Sequence, residues 1–195
     1  MDLLNYLDYG KALPEKPVII TSDDGYQSIY TYAFPILKKY GYKMTVFLAT
    51  GYIGNSNDTR RTNDFDSSIA NIPTRSMLIW SEVKAMSGYG CEFLSHTWAH
   101  INLGSVSLEY AKQELSQSKS DIEIQLGKPC LFIAWPHDNF NSEVVASLSA
   151  LGFRGAVRWA GGIEDVRSLN IYSINRIPIY AEISPLAYGE LIGLQ

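Results

Sequence analysis

Val18-Ile19-Ile20-Thr21-Ser22-Asp23-Asp24-Gly25 sets the reading of the whole chain. A β-branched apolar run that stops at two carboxylates and a glycine is predicted to be a buried strand, Val18 to Thr21, ending in a turn. Before it, Pro14 and Pro17 mark off an amphipathic lead-in through Lys11. After it, apolar spacing predicts a helix from about Ser28 to Tyr40. Pro35 lies inside that pattern and is expected to kink the helix or shorten its first half, and Gly41 is expected to close it. Lys43 to Ala49 returns as a second strand, rich in apolar and β-branched residues. The result is a strand–helix–strand unit.

The same alternation continues downstream. Ser81 is expected to cap a short helix over Glu82 to Ser87, after which Gly88 and Gly90 release the chain into the strand Cys91 to Leu94. From Ser107, Leu108, Ala111, Leu115, Ser118, Ile122 and Leu126 recur three or four apart, so a long helix is predicted up to Gly127. Leu131 to Ala134 reads as a strand, Asn141 as the cap of a helix through Leu151, and two more strands fall near Arg154 to Val157 and Tyr172 to Ile179. Residues 54–77 are polar and aperiodic, the mark of a long surface loop of the kind that borders binding sites. Short apolar strands alternating with helices predict an α/β fold of parallel βαβ units, a barrel or an open sheet, with its chemistry at the carboxyl ends of the strands. Asp23, Asp24, His96 and His137 all follow such ends.

With 195 residues, the chain is long for a minimal domain and short for two, so residues 1–195 are read as one domain. Hydrophobic residues at 46% and charged ones at 18% exclude disorder, and a net charge of −4 excludes a generally cationic nucleic-acid surface. No apolar run approaches the roughly twenty residues of a membrane span, and Met1-Asp2-Leu3-Leu4 lacks the basic start of a secretory signal. The two cysteines, Cys91 and Cys130, sit in predicted strands and read as buried thiols. Thirteen tyrosines and four tryptophans suit a surface that stacks on sugar rings, although Tyr is also a common half-buried filler. Trp80 is expected in the core and Trp135 to line a groove.

The chemistry concentrates in Ser95-His96-Thr97-Trp98-Ala99-His100, which holds two of only three histidines. Four residues apart, the imidazoles are expected to share one side of a helical turn and to grip a single metal ion. An Asp and two His form a mixed oxygen/nitrogen shell suited to Zn²⁺ or a related divalent ion acting as a hydrolytic Lewis acid. Adjacent side chains diverge in extended backbone, so one carboxylate of the Asp23-Asp24 pair can bind the ion while the other handles a proton. Taken alone, an Asp-Asp-Gly is usually a solvated turn and a His-x-x-x-His pair two unrelated imidazoles.

Thr21-Ser22-Asp23-Asp24-Gly25 and His96-Thr97-Trp98-Ala99-His100 resemble the first two motifs of NodB-homology polysaccharide deacetylases, carbohydrate esterase family four. Leu13 to Ile20, Pro35 to Gly41, Ile79-Trp80 and Gly90 to His96 are similar to that family's framework, and Ala134-Trp135-Pro136-His137-Asp138 to its third motif. The resemblance implies a distorted, incomplete (β/α) barrel with fewer than eight units. It implies Asp23 as catalytic base and Asp24, His96 and His100 as ligands of a divalent metal, Zn²⁺ first, with Co²⁺ or Ni²⁺ as alternatives. The implied reaction removes an N-acetyl group from an amino-sugar glycan such as poly-N-acetylglucosamine, peptidoglycan or a chitin-like chain, with the backbone N–H of His137 at the position that receives the oxyanion. The implied location is extracellular or in the cell envelope.

The chain departs from the family pattern at Ser22, where a Phe is common, and in two places that bear on the chemistry. Much of the family has an Arg where Ala134 stands; Asn175-Arg176-Ile177-Pro178-Ile179 resembles the branch acting on poly-N-acetylglucosamine, and Arg176 is expected either to approach Asp23 or to be a structural Arg at a strand end. The family's late His, a general acid, is absent, since no histidine follows His137. Either His137 serves as acid, or Asp23 returns its proton to the amine, or turnover is poor. Competing readings are a catalytically impaired glycan-binding relative, an amidase of small non-sugar amides, and an iron oxygenase using the two His and one carboxylate. The oligomeric state is not readable from these residues.

Overall fold

Six short parallel strands lie side by side in chain order, β1 (Thr21–Ser22), β2 (Thr45–Leu48), β3 (Glu92–Ser95), β4 (Phe132–Ala134), β5 (Gly155–Gly161) and β6 (Ile174–Arg176). They curl into a half-barrel. The computed structural model describes residues 2–67, 73–180 and 182–193. After α1 (Asp2–Tyr9), crossovers carry α2 (Phe34–Lys39), α3 (Trp80–Tyr89), α4 (Leu108–Leu126) and α5 (Ser142–Ser147), while β5 reaches β6 without a helix and α6 (Pro185–Leu191) follows.

Strand β2 explains the layering. All four of its residues are buried, as in a parallel strand covered on both faces. Val46 and Leu48 turn outward into the main core with Val83, Met86, Leu115, Ile122 and Ile133. Phe47 turns inward to a second cluster with Ala134 and Val157, inside the curl. Truncating so buried a ring to Ala destabilises by about 3–5 kcal/mol.

Several elements differ from the sequence expectation for physical reasons. Val18, Ile19 and Ile20 are 51%, 62% and 37% exposed, and β1 is two residues long, because it is an edge strand with a neighbour on one side only. Pro35 does interrupt its helix. The turn before it, Ile29–Ala33, winds as a π-helix, and Pro35, which has no N–H to donate back along the ladder, opens α2. Ser81 lies inside α3 rather than capping it; Ile79 occupies the cap, and the Glu82 carboxylate accepts its N–H at 3.0 Å. Gly88 is helical, and Gly90, at φ 113°, ends the helix. Ser107, whose hydroxyl accepts the N–H of Tyr110, and Gly127 bound α4 as predicted. Asn141 caps α5, but that helix stops at Ser147. β5 continues to Gly161 and β6 stops at Arg176. The loop 54–77 contains 3₁₀ turns at Asn57–Thr59 and Asp64–Asp66; its residues 68–72 lie outside the described residues. Cys91 and Cys130 are buried free thiols, and burial pushes the Cys130 thiol up to about 12. No helix among the described residues is long and apolar enough to cross a membrane.

Candidate metal and active site

Three strand ends deliver the candidate residues. Asp23 and Asp24 follow β1, and Asp24 takes a left-handed conformation at φ 69°. Gly25 continues the turn at φ 94°, a backbone conformation that favours glycine, and a Cβ there would come within 2.8 Å of the Leu48 side chain. The turn is pinned from both sides, by the Ala49 N–H to the Asp24 carbonyl at 3.2 Å and the Leu78 N–H to the Gly25 carbonyl at 2.8 Å.

His96 and His100 follow β3, but the segment between them is not the expected helical turn. Thr97 and His100 are themselves left-handed, at φ 64° and 55°, and these reversals bring the rings together. Each such residue costs on the order of 1–3 kcal/mol, so the surroundings must fix it. They do so with the Thr50 and Gly51 N–H groups on the Thr97 and Trp98 carbonyls, at 3.2 and 2.8 Å. From α4, the Glu114 carboxylate accepts the N–H groups of Trp98 and Ala99 at 3.1 and 2.7 Å while only 3% exposed.

The three donor atoms converge. Asp24 Oδ1 lies 3.4 Å from His96 Nε2 and 3.3 Å from His100 Nε2. Among the described residues, Asp24, His96 and His100 form the one group of three or more ligand-type side chains close enough to share an ion. A tetrahedral centre with bonds of about 2.0–2.1 Å spaces its ligands at such distances. The Nδ1 of His96 is 2.8 Å from the Ala134 carbonyl, a contact that makes Nδ1 the protonated nitrogen and leaves the Nε2 lone pair facing Asp24. The donor set therefore fits a divalent metal. Burial opposes ionisation of Asp24, but the imidazoles of His100 and His96 outweigh it and hold the carboxyl well below the usual range. Burial likewise disfavours charge on His96, and the Asp24 and Asp23 carboxylates reverse that, raising its pKa.

Asp23 is not one of the three donors. Arg176, at the end of β6, donates Nη1 to Asp23 Oδ1 at 2.7 Å and Nη2 to Oδ2 at 2.6 Å, a two-pronged pair in a pocket where the side chains are 13% and 21% exposed. The guanidinium also bonds the Thr21 hydroxyl at 3.2 Å and the Arg158 carbonyl, and stands 5.5 Å over the Phe47 ring. It thus spans the gap between β1 and β6, the two edges of the sheet.

His137 follows β4 in a turn where it and Asp138 are both left-handed, at φ 55° and 53°. Its exposed ring stands edge-on to His100 with centroids 4.7 Å apart, and partial burial with the two neighbouring imidazoles pushes its pKa down. The Asp138 carboxylate clamps the turn to β5, pairing with Arg158 at 2.7 Å and accepting the Trp159 N–H at 3.3 Å.

Sequence reading missed three contributors. Phe65, in the long loop, packs on His100 with centroids 4.4 Å apart; beside it Asp66 accepts the Tyr26 hydroxyl at 2.9 Å. Neither carries a local signal. Glu114 did carry one, since it falls three residues after Ala111 and four before Ser118, on the buried stripe of α4. Trp135 does not line a groove. It is 1% exposed, because its ring stacks on Phe140 at 4.5 Å and its indole N–H is satisfied inside by the Tyr172 carbonyl. Trp80 is in the core, and Trp98 is 41% exposed.

The chain is similar to known proteins over most of its length. The Bacillus subtilis protein YxkH is 27% identical over 186 residues, covering 95% of this chain and 60% of its own. A poly-β-1,6-N-acetyl-D-glucosamine N-deacetylase of Escherichia coli O157:H7 is 33% identical over 199 residues, covering 87% of this chain and 29% of its own. The chain thus spans less than two thirds of the length of each of these relatives. Among solved structures, the Streptococcus pyogenes deacetylase PplD in complex with acetate superposes with a TM-score of 0.81 at 26% identity, over 98% of this chain and 77% of its own. The polysaccharide deacetylase family model matches residues 10–156, and the chain belongs to that family.

Proposed function

We propose that this chain is a metal-dependent N-deacetylase of an amino-sugar glycan. The observation that carries the reading is the meeting of two separate units, the Asp24, His96 and His100 donors and an Asp23 carboxylate held beside them by Arg176. A divalent ion on the three donors, Zn²⁺ or else Co²⁺ or Ni²⁺, supplies Lewis acidity toward water and an amide carbonyl.

The chain's own groups do the rest. Asp23 takes a proton from water as the water oxygen bonds to the acetyl carbon. Arg176 occupies one lone pair on each Asp23 oxygen and leaves the others to receive that proton, so it orients the base. The His137 backbone N–H is the candidate donor to the oxyanion. When the C–N bond breaks, the amine nitrogen gains a proton from protonated Asp23, or from His137 as imidazolium with Asp23 then releasing its proton to solvent. The acetic acid formed gives its remaining proton to the amine and leaves as acetate. Within these 195 residues His137 is the one imidazole outside the donor set, and its ring stands edge-on to His100. The likeness to a poly-β-1,6-N-acetyl-D-glucosamine N-deacetylase supports that glycan as first substrate, ahead of peptidoglycan and chitin-like chains.

The test is acetate release from poly-N-acetylglucosamine, peptidoglycan and chitin oligomers with added Zn²⁺, Co²⁺ or Ni²⁺. Release from at least one, lost in Asp23→Asn, is expected; saturable glycan binding without release under every metal overturns the reading in favour of a catalytically impaired glycan-binding relative.

A further inference from the structure

Two aromatic side chains on the late rim have no part in the chemistry above. Trp159, in β5, and Tyr180, four residues beyond β6, are 51% and 52% exposed, yet they meet edge to face with centroids 6.4 Å apart and planes at 70°. Tryptophan is rarely left so open on a monomer surface, and here two large rings are open together. The backbone of Trp159 is tied to the candidate active site. The Trp159 N–H is held by the Asp138 carboxylate, in the turn that carries His137. The preceding residue gives its carbonyl to Arg176, the group that grips Asp23. Arg158 and Asp138 add a charged pair whose guanidinium is 41% exposed. An open aromatic face beside exposed charged donors and acceptors is the composition that binds a pyranose ring, apolar on its C–H face and hydroxylated at its rim.

We infer that Trp159 and Tyr180 form a stacking subsite for a sugar residue of the glycan outside the one being deacetylated, so that the chain acts on oligomers rather than on single amino sugars or small amides. The inference rests on the glycan deacetylase reading and adds a chain-length requirement to it. Trp159 supplies the face, Tyr180 fixes the indole from the side, and the Asp138 clamp sets their separation from the reacting acetyl group.

The experiment compares the wild-type chain with Trp159→Ala, Trp159→Phe and Tyr180→Ala, using N-acetylglucosamine and its β-1,6-linked dimer and pentamer. Expected is a KM for the pentamer raised roughly tenfold by Trp159→Ala, partly restored by Trp159→Phe, with a smaller effect on the dimer and kcat little moved. A loss of the same size on every length, or none on the pentamer, overturns the subsite. Intrinsic fluorescence separates this outcome from failure of the parent reading. Trp80 and Trp135 are buried, so pentamer binding is reported by Trp98 and Trp159. A saturable pentamer-induced change that disappears in Trp159→Ala supports the subsite even if no acetate is released; an unaltered change in that variant refutes it. Circular dichroism of each variant confirms folding.

Discussion

The two halves of the sheet build their share of the rim by different means. In the first half, Asp24, His96 and His100 are set by left-handed backbone turns and neutral backbone hydrogen bonds, supplemented by the buried Glu114 carboxylate. In the second half, where β5 and β6 are joined without a covering helix, the rim is held by guanidinium–carboxylate pairs, Arg158 with Asp138 and Arg176 with Asp23. The first arrangement brings both imidazole Nε2 atoms within 3.4 Å of Asp24 Oδ1; the second sets oppositely charged side chains against each other in two-pronged pairs. On the proposed reading, this division gives ion affinity to the first half, and proton handling to Asp23 of the first half together with its second-half partner Arg176.

Substitution of a donor gives the largest effect. His96→Ala or Asp24→Ala is expected to lower metal content in elemental analysis to background and acetate release by on the order of a thousandfold. Arg176→Met comes next and is the sharpest probe of the division, with kcat falling about a hundredfold while bound metal is unchanged. Equal loss of metal in Arg176→Met and His96→Ala would break the comparison. Glu114→Gln keeps an acceptor but removes its charge from the N–H groups of Trp98 and Ala99, so metal affinity should drop about tenfold in a competition titration with chelator, and kcat at saturating metal should hold.

The smallest effect lies away from the rim. Glu123, near the end of α4, accepts the Cys130 N–H at 2.9 Å and Lys119 Nζ at 2.7 Å. Partial burial opposes its ionisation, but Lys119 and the Cys130 N–H prevail and hold its pKa below the ordinary carboxylate range. Because the folded value is depressed, its stabilisation is present above the unfolded value of about 4.3 and is lost as pH falls through the folded one. Glu123→Gln should lower Tm by about 2 °C at pH 7, and the gap from wild type should close on acidification below pH ~4. A gap that persists in acid would assign the effect to packing instead.

What could be read from the residues follows the same division. Strand–helix alternation and its end signals located the interior, as the Ser107 to Gly127 boundaries of α4 show, because apolar period and capping are local properties. The Asp23-Asp24-Gly25 and His96 to His100 motifs were visible for the same reason, although the helical turn expected between the imidazoles is a pair of left-handed residues that no periodicity encodes. Arg176 is separated from Asp23 by most of the chain, and only the resemblance to one branch of the family pointed at their contact. Phe65, Asp138 and the burial of Trp135 depend on how loops fold back over the rim, information that is tertiary from the start. The exposed Val18 to Ile20 run shows the converse: an apolar stretch reads as interior although it leads into an outermost strand.

That outermost strand bears on how the protein behaves at high concentration. A sheet left unclosed offers two rows of unpaired amides to any other copy of itself, and long apolar edges of this kind seed fibrils. Here the bordering strands are two and three residues long, and Pro17 stands just before the apolar run, so there is too little template for a second chain to zip onto. The shortness of β1 is therefore a safeguard against self-association, and extending its pairing backward through Val18 would put solubility at risk.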